Sequence, residues 1–337
     1  VTSSTAETGV VTARRGGVAR FVRRHGWTVG IYVLLFVLTL FWRSQTTVKW
    51  GPFDVQSLVI DALPLCFAAC AQSIVIISGG IDLSVGSMMS LANVVSAKYM
   101  LHMSFDEAIL FSLAIVAAAA FVGAITGLTI VVTRVADIIV TLAMLFVLGG
   151  LALAVLQVPG GGAPVRFQSL VSVDTVFTQW LPAALLILFG SFAVLWLTVR
   201  RTRPGLALYA TGSNRSAAYL AGVNVKRSRV LAYAYSGAFA ALGGLAFTAA
   251  SGLGDPNAGA IYTLNSVAAA VLGGVSLLGG VGGLVGPIAA AFVLTLVKTV
   301  MILRGVDQNY AQVIQGALIV LVVMVGGLAI RQKGKGS

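Results

Sequence analysis

Apolar residues run through this chain in long blocks, and polar residues gather in the gaps between them. Ten blocks can be drawn, over roughly residues 27–42, 55–77, 84–101, 107–132, 138–157, 178–199, 229–251, 263–278, 284–303 and 310–330. Most come close to the ~20 residues with which an α-helix crosses roughly 30 Å of hydrocarbon. The apolar positions are near-continuous, so the alternating strand pattern of a transmembrane β-barrel is missing. The pattern predicts an all-α, polytopic helical membrane protein with about ten transmembrane helices across residues 27–330. Residues 1–26 are polar and Arg-rich, and are expected to form a disordered basic cytoplasmic tail; residues 331–337 form a second, shorter tail. No small-residue cleavage site follows the first apolar run, which ends in "FWRSQTTVKW", so it reads as a retained span rather than a signal peptide.

Composition strengthens this reading. Hydrophobic residues make up 58% of the 337 positions and charged residues only 9%, against about 25% charged in a soluble domain. Mean hydropathy is +0.98. A net charge of +12 would point to nucleic acid in a soluble protein, but here the basic residues mark topology. Arg14, Arg15, Arg20, Arg23, Arg24, Arg134, the cluster from Arg200 to Arg229, and Arg331, Lys333 and Lys335 fall on one side of the predicted spans. Asp54, Asp106, Glu107, Asp174, Asp255 and Asp307 fall on the other. By the positive-inside rule both termini are cytoplasmic. No nucleic-acid partner is expected; membrane lipid is.

Polar residues inside the spans are candidates for function, because a charge at mid-bilayer costs about 2.5–3.5 kcal/mol on insertion scales. Asp82 and Ser84 follow Gly79 and Gly80 in "SGGIDLSVGS", where the glycines free the backbone from the helix. Asp82 or Ser84 then either caps the next helix or meets a polar permeating solute. Gln72, Asn93 and Asn265 can each donate and accept, as a hydroxyl-rich solute requires, or can bond helix to helix. Asp61 and Pro64 predict a start or a break in the second span. Cys66 and Cys70 read as packing thiols, and His25 and His102 form no site; no metal or cofactor is expected.

Two connections and one echo stand out. The segment 158–177 reads as an outer turn with a gating or docking role, and 200–228 is the longest inner connection, a short helix between turns. In the latter Ala217 and Ala218 allow close approach of another surface and Arg215 offers a charge. "GGIDLSVG" from Gly79 and "GGVSLLGG" from Gly273 share their spacing, a weak sign of an internal repeat. No GxxxxGK[ST], GxSxG or HExxH sequence occurs, so neither a P-loop ATPase nor these hydrolytic sites are encoded, and the chain reads as a non-catalytic transport subunit.

"SGGIDLSVGS" (78–87), "RPGLALYATGSNRSAAYLAGV" (203–223) and "LNSVAAAVLGGVSLLGGVGGLVG" (264–286) together resemble the three signatures of the sugar-type ABC importer permeases, which serve ribose, galactofuranose and autoinducer-2. The resemblance covers the chain from about residue 50 and implies alternating access powered by ATP and Mg on a separate ABC ATPase subunit. It also implies a second permease chain, identical or related, and a periplasmic or lipid-anchored substrate-binding protein that delivers the sugar. Arg203, Gly205, Gly212, Asn214, Arg215, Ala217, Ala218 and Gly222 then belong to the ATPase coupling loop. Leu206 stands where the family pattern has Arg, and "ADIIVTLA" (136–143) departs from the usual "PxFIVTLG". Competing expectations are a branched-chain amino-acid ABC permease, and an ion-driven secondary transporter or channel.

Overall fold

The structure, a computed structural model, describes residues 16–45, 51–172, 180–197, 200–307, 309–317, 320 and 324. Among these, every regular element is helical. In chain order they are α1 (Gly16–Gln45), α2 (Pro52–Ile77), α3 (Val85–Met100), α4 (Phe105–Thr133), α5 (Asp137–Val155), α6 (Val165–Ser172) and α7 (Ala183–Phe192, continued by a π-turn over Ala193–Leu197). Then come α8 (Arg203–Ser213), α9 (Arg215–Leu220), α10 (Val225–Ser251), α11 (Ala260–Leu272) and α12 (Val285–Leu303). Residues 309–317 are also helical.

From Ala62 to Ile77 helix α2 is buried on every side, which fits a helix with no water-facing stripe. It is the core of the bundle: 89% of its apolar window is buried, against α10, α11, α12 and α3. Pro52 opens it, where a missing N–H costs nothing, and the Asp54 carboxylate accepts the Gly51 N–H at 2.8 Å. Pro64 lies inside the continuous helix, so the start or break expected at Asp61–Pro64 does not occur. Buried neighbours on every side hold the helix through the lost hydrogen bond. Helices α1, α4 and α5 lie at the periphery and turn Phe36, Leu110, Phe121 and Phe146 outward, the surface that hydrocarbon covers. Helices α4 and α10 cross tightly, because a β-carbon at Gly123 or Gly237 would overlap the facing backbone.

Among the described residues six helices are long and apolar enough to cross a membrane: Thr28–Gln45 within α1, then α2, α4, α5, α10 and α12. The chain is thus a polytopic helical membrane protein. Of the other expected spans, α3 has 16 residues and α11 has 13, about 24 and 20 Å at ~1.5 Å per residue. Both adjoin non-helical backbone, at 78–84 and 273–284. The expected span 178–199 appears as α7 with its π-turn, and most of 310–330 lies outside the described residues. Residues 16–26, expected in a disordered tail, belong to α1; residues 1–15 and the tail 331–337 lie outside the described residues. The helix simply continues past the apolar run, since no Pro or capping signal stops it before Gly16.

Candidate functional site at a polar break and a glycine junction

Helix α2 ends because the chain reverses at a glycine. Gly79, at φ 83°, adopts the left-handed conformation that closes a helix, and Gly80 N–H donates back to Val75 O at 3.0 Å. Asp82, 4% exposed, then lies in the break. Its Oδ1 accepts from Ser84 N–H at 2.9 Å and Ser84 Oγ at 2.6 Å, and its Oδ2 accepts from Ser236 Oγ of α10 at 2.8 Å. The Gln72 amide, oriented by the groups it faces, donates to Asp82 O at 2.8 Å and accepts from Asp82 N–H at 3.3 Å. Three of the predicted residues therefore form one buried network. The capping role foreseen for Asp82 or Ser84 is not what they do: Ser84 holds the N-cap position of α3 without a side-chain cap bond. Asp82 instead closes a local turn onto Ser84 and ties it to α10.

A second polar group stands beside the first. Arg229 of α10 forms an ion pair with Asp137, in the first turn of α5, with side chains 11% and 15% exposed. Tyr233 donates to Asp137 Oδ2 at 3.0 Å and lies 3.4 Å from Ile81 O in the break. Sequence reading missed this trio. Its one signal was an acid, Asp137, at a helix start on the side where basic residues collect.

The predicted loop folds as two helices, α8 and α9, against the same break. A β-carbon at Gly212 would overlap Ile77 O, the last carbonyl of α2, and lie 2.6 Å from Gly280 N. Gly280 N–H in turn donates to Ile77 O at 2.9 Å. Arg215 Nη2 donates to Gly79 O at 2.7 Å. Asn214 caps α9 by accepting from Ala217 N–H at 3.0 Å, Gly205 and Ala218 are buried, and Gly222 ends the segment at φ 81°. Arg203, Ala217, Leu206, Tyr219 and Leu220 are exposed. The echoed segments meet here as well: at both Gly79 and Gly274 a helix ends in a positive-φ glycine with the same set of backbone bonds.

The remaining two predicted residues lie toward the opposite end of the bundle. Asn93 donates to Thr248 Oγ1 at 2.8 Å and Leu253 O at 2.9 Å, and accepts from Asp255 N–H at 2.7 Å. These bonds bind α3 to the end of α10 and the connection after it. Asn265 lines an open-sided cavity of about 390 Å³ with Asp61, Tyr262, Thr295, Lys298 and Gln315 among its other walls. Asp61 is exposed there. An exposed carboxylate nine residues into an apolar helix cannot face lipid cheaply, so it faces water or protein. Among the described residues no group of three or more His, Cys, Asp or Glu side chains is placed to hold a metal, and Cys66 and Cys70 are buried free thiols.

A bundle of apolar helices, with backbone breaks lined by protein and an exposed pair of short helices gripping one of them, fits a membrane transporter. Residues 55–323 match the family described as branched-chain amino acid transport system / permease component, and the chain belongs to that family. The ribose import permease protein RbsC of Escherichia coli is 33% identical over 328 residues, which cover 94% of this chain and 98% of the relative. The galactose/methyl galactoside import permease protein MglC of Escherichia coli is 29% identical, over 90% of this chain and 95% of the relative. The ribose import permease protein RbsC of Bacillus subtilis is 29% identical, over 90% and 92%. No solved structure matches the chain. The chain is a multi-pass protein of the bacterial inner membrane and a permease component of an ABC importer.

Proposed function

We propose that this chain carries a monosaccharide into the cell as the non-catalytic subunit of an ABC importer. It crosses the membrane about ten times with both termini inside, pairs with a second permease chain, and receives its solute from a binding protein. ATP is hydrolysed on a separate subunit that docks on the exposed faces of α8 and α9. The observation that carries this reading is the glycine junction: Gly212 and Arg215 fasten those helices directly to the end of α2 and to the break that holds Asp82. A push on α8–α9 is thereby delivered to the centre of the bundle. The sugar's route on the far side is the cavity bordered by Asp61, Asn265 and Lys298, whose groups donate and accept as hydroxyls require. Gln72, Asp82 and Ser84 seal the other end, and Asn93 holds α3 in place without touching the solute.

The test is uptake into proteoliposomes holding this chain with its ATPase and binding protein. Labelled ribose or galactose is expected to accumulate only with ATP, and the chain alone is expected to hydrolyse none. Accumulation of labelled leucine in place of sugar would move the assignment to the amino-acid branch that the family description names. Uptake driven by an ion gradient without the ATPase would end it.

A further inference from the structure

At the α8–α9 end of the bundle, the C-terminus of α4 and the N-terminus of α10 enclose an open groove of about 560 Å³. One wall is apolar: Leu128, Val131 and Val132 of α4 with Val230 of α10. The rim is basic: Arg134, Lys226 and Arg227. Among the described residues none of these three side chains has a hydrogen bond or ion pair, and all three are exposed. The nearest carboxylate along the chain, Asp137, is already held by Arg229.

The placement of the cations is informative. Lys226 and Arg227 lie in the first turn of α10, where the helix dipole disfavours positive charge. They do not serve the helix, whose cap is Asn224, accepting from Arg227 N–H at 2.9 Å. Three exposed cations gathered at a helix N-terminus, where the dipole itself favours negative charge, make a place for an anion. The apolar wall says which kind. Leu128 and Val132 are exposed on α4, a helix whose outer face meets hydrocarbon, and Arg134 follows one residue after that helix ends. The groove thus straddles the boundary between acyl chains and headgroups, and a free anion would leave its wall bare.

We propose that this groove binds an anionic phospholipid, with the headgroup phosphate on Arg134, Lys226 and Arg227 and an acyl chain along Leu128, Val131 and Val132. A basic residue near a membrane surface is worth a factor of about five in attraction to anionic lipid, so the three together are worth roughly 100-fold. The site does not depend on which solute is carried.

The test is native mass spectrometry of the purified full chain, titrated with phosphatidylglycerol and with phosphatidylcholine. Phosphatidylglycerol is expected to bind preferentially, and R134Q/K226Q/R227Q to lose roughly 100-fold of that affinity. R166Q, whose guanidinium lies over the Phe105 ring, is expected to keep it. Equal binding of the two lipids by the native chain, or unchanged phosphatidylglycerol affinity in the triple variant, overturns the proposal. So does a triple variant that keeps the lipid but no longer co-purifies with the ATPase, which would make the groove a protein contact. Should the triple variant fail to fold, acylation of Lys226 in the native chain decides: phosphatidylglycerol is expected to slow it and phosphatidylcholine not, and the lack of that difference counts against the site.

Discussion

Replacing Gly212 by alanine tests the junction on which the transport reading rests. The new methyl would lie 2.6 Å from Gly280 N, 0.8 Å inside the 3.4 Å at which ordinary contact begins, and would overlap Ile77 O outright. All of these atoms are backbone, so no side chain can rotate away; α8 must lift off the end of α2. Overpacking of this kind costs about 1–3 kcal/mol. If that energy is taken from the coupling between loop and bundle, the coupling falls roughly 5–150-fold. The assay is solute taken up per ATP hydrolysed in proteoliposomes containing the whole importer. Gly212→Ala is expected to keep ATP hydrolysis while uptake per ATP drops at least about fivefold. Gly305→Ala, in the turn after α12, is the control: at φ 75° it carries a left-handed strain of roughly 1–2 kcal/mol, but no atom lies within 4 Å of its new methyl. Similar strain placed away from the junction is expected to leave uptake per ATP unchanged. A Gly212→Ala importer with native uptake per ATP would refute the wiring from α8 to α2.

Further substitutions address the buried polar groups at the break and at the opposite end of the bundle. Asp137→Asn or Arg229→Met alone strands one charge in a largely buried site and is expected to cost about 3 kcal/mol in thermal unfolding, whereas the double change Asp137→Leu with Arg229→Met costs less than either; additive losses would refute the pairing. Asn93→Leu removes three hydrogen bonds and is expected to cost about 3 kcal/mol of stability, with no change in sugar selectivity; altered selectivity would return Asn93 to the sugar's path.

What could be read from sequence was what is local. The glycine pair at 79–80 announced the break, because a left-handed turn needs glycine, and the apolar blocks announced the helices. Pairings across the fold were not legible. Asp137 and Arg229 are 92 residues apart, and Asn93 meets partners more than 150 residues away. Nothing in the residues alone chooses between an Asn that bonds a neighbouring helix and one that meets a solute. Asn93 has three internal partners, while Asn265 borders a cavity. Span ends were less legible than span centres. A run of apolar residues counts the same whether it is helical or not: α3 fills the block at 84–101, but α11 stops at Leu272 and the block at 263–278 is completed by turns that only surrounding protein makes tolerable.

The two ends of the bundle differ in a way that bears on how it moves. At the α8–α9 end the polar atoms described in the break have partners within the protein; at the other, Asp61 stands exposed beside a cavity. A bundle closed by apolar packing alone would open only by exposing hydrocarbon to water, at about 25 cal/mol per Å². A closure made of hydrogen bonds opens differently, since water replaces each bond and the net cost is only about 0.5–1.5 kcal/mol for a neutral pair. Ser236 to Asp82 and Arg215 to Gly79 O involve a charge and cost more, roughly 1.5–3 kcal/mol each. In the proposed importer, two such bonds are strong enough to hold the break closed at rest and weak enough for the docked ATPase to break. This gives a physical reason for a chain so apolar to keep a carboxylate and its hydroxyls at the point where its central helix stops.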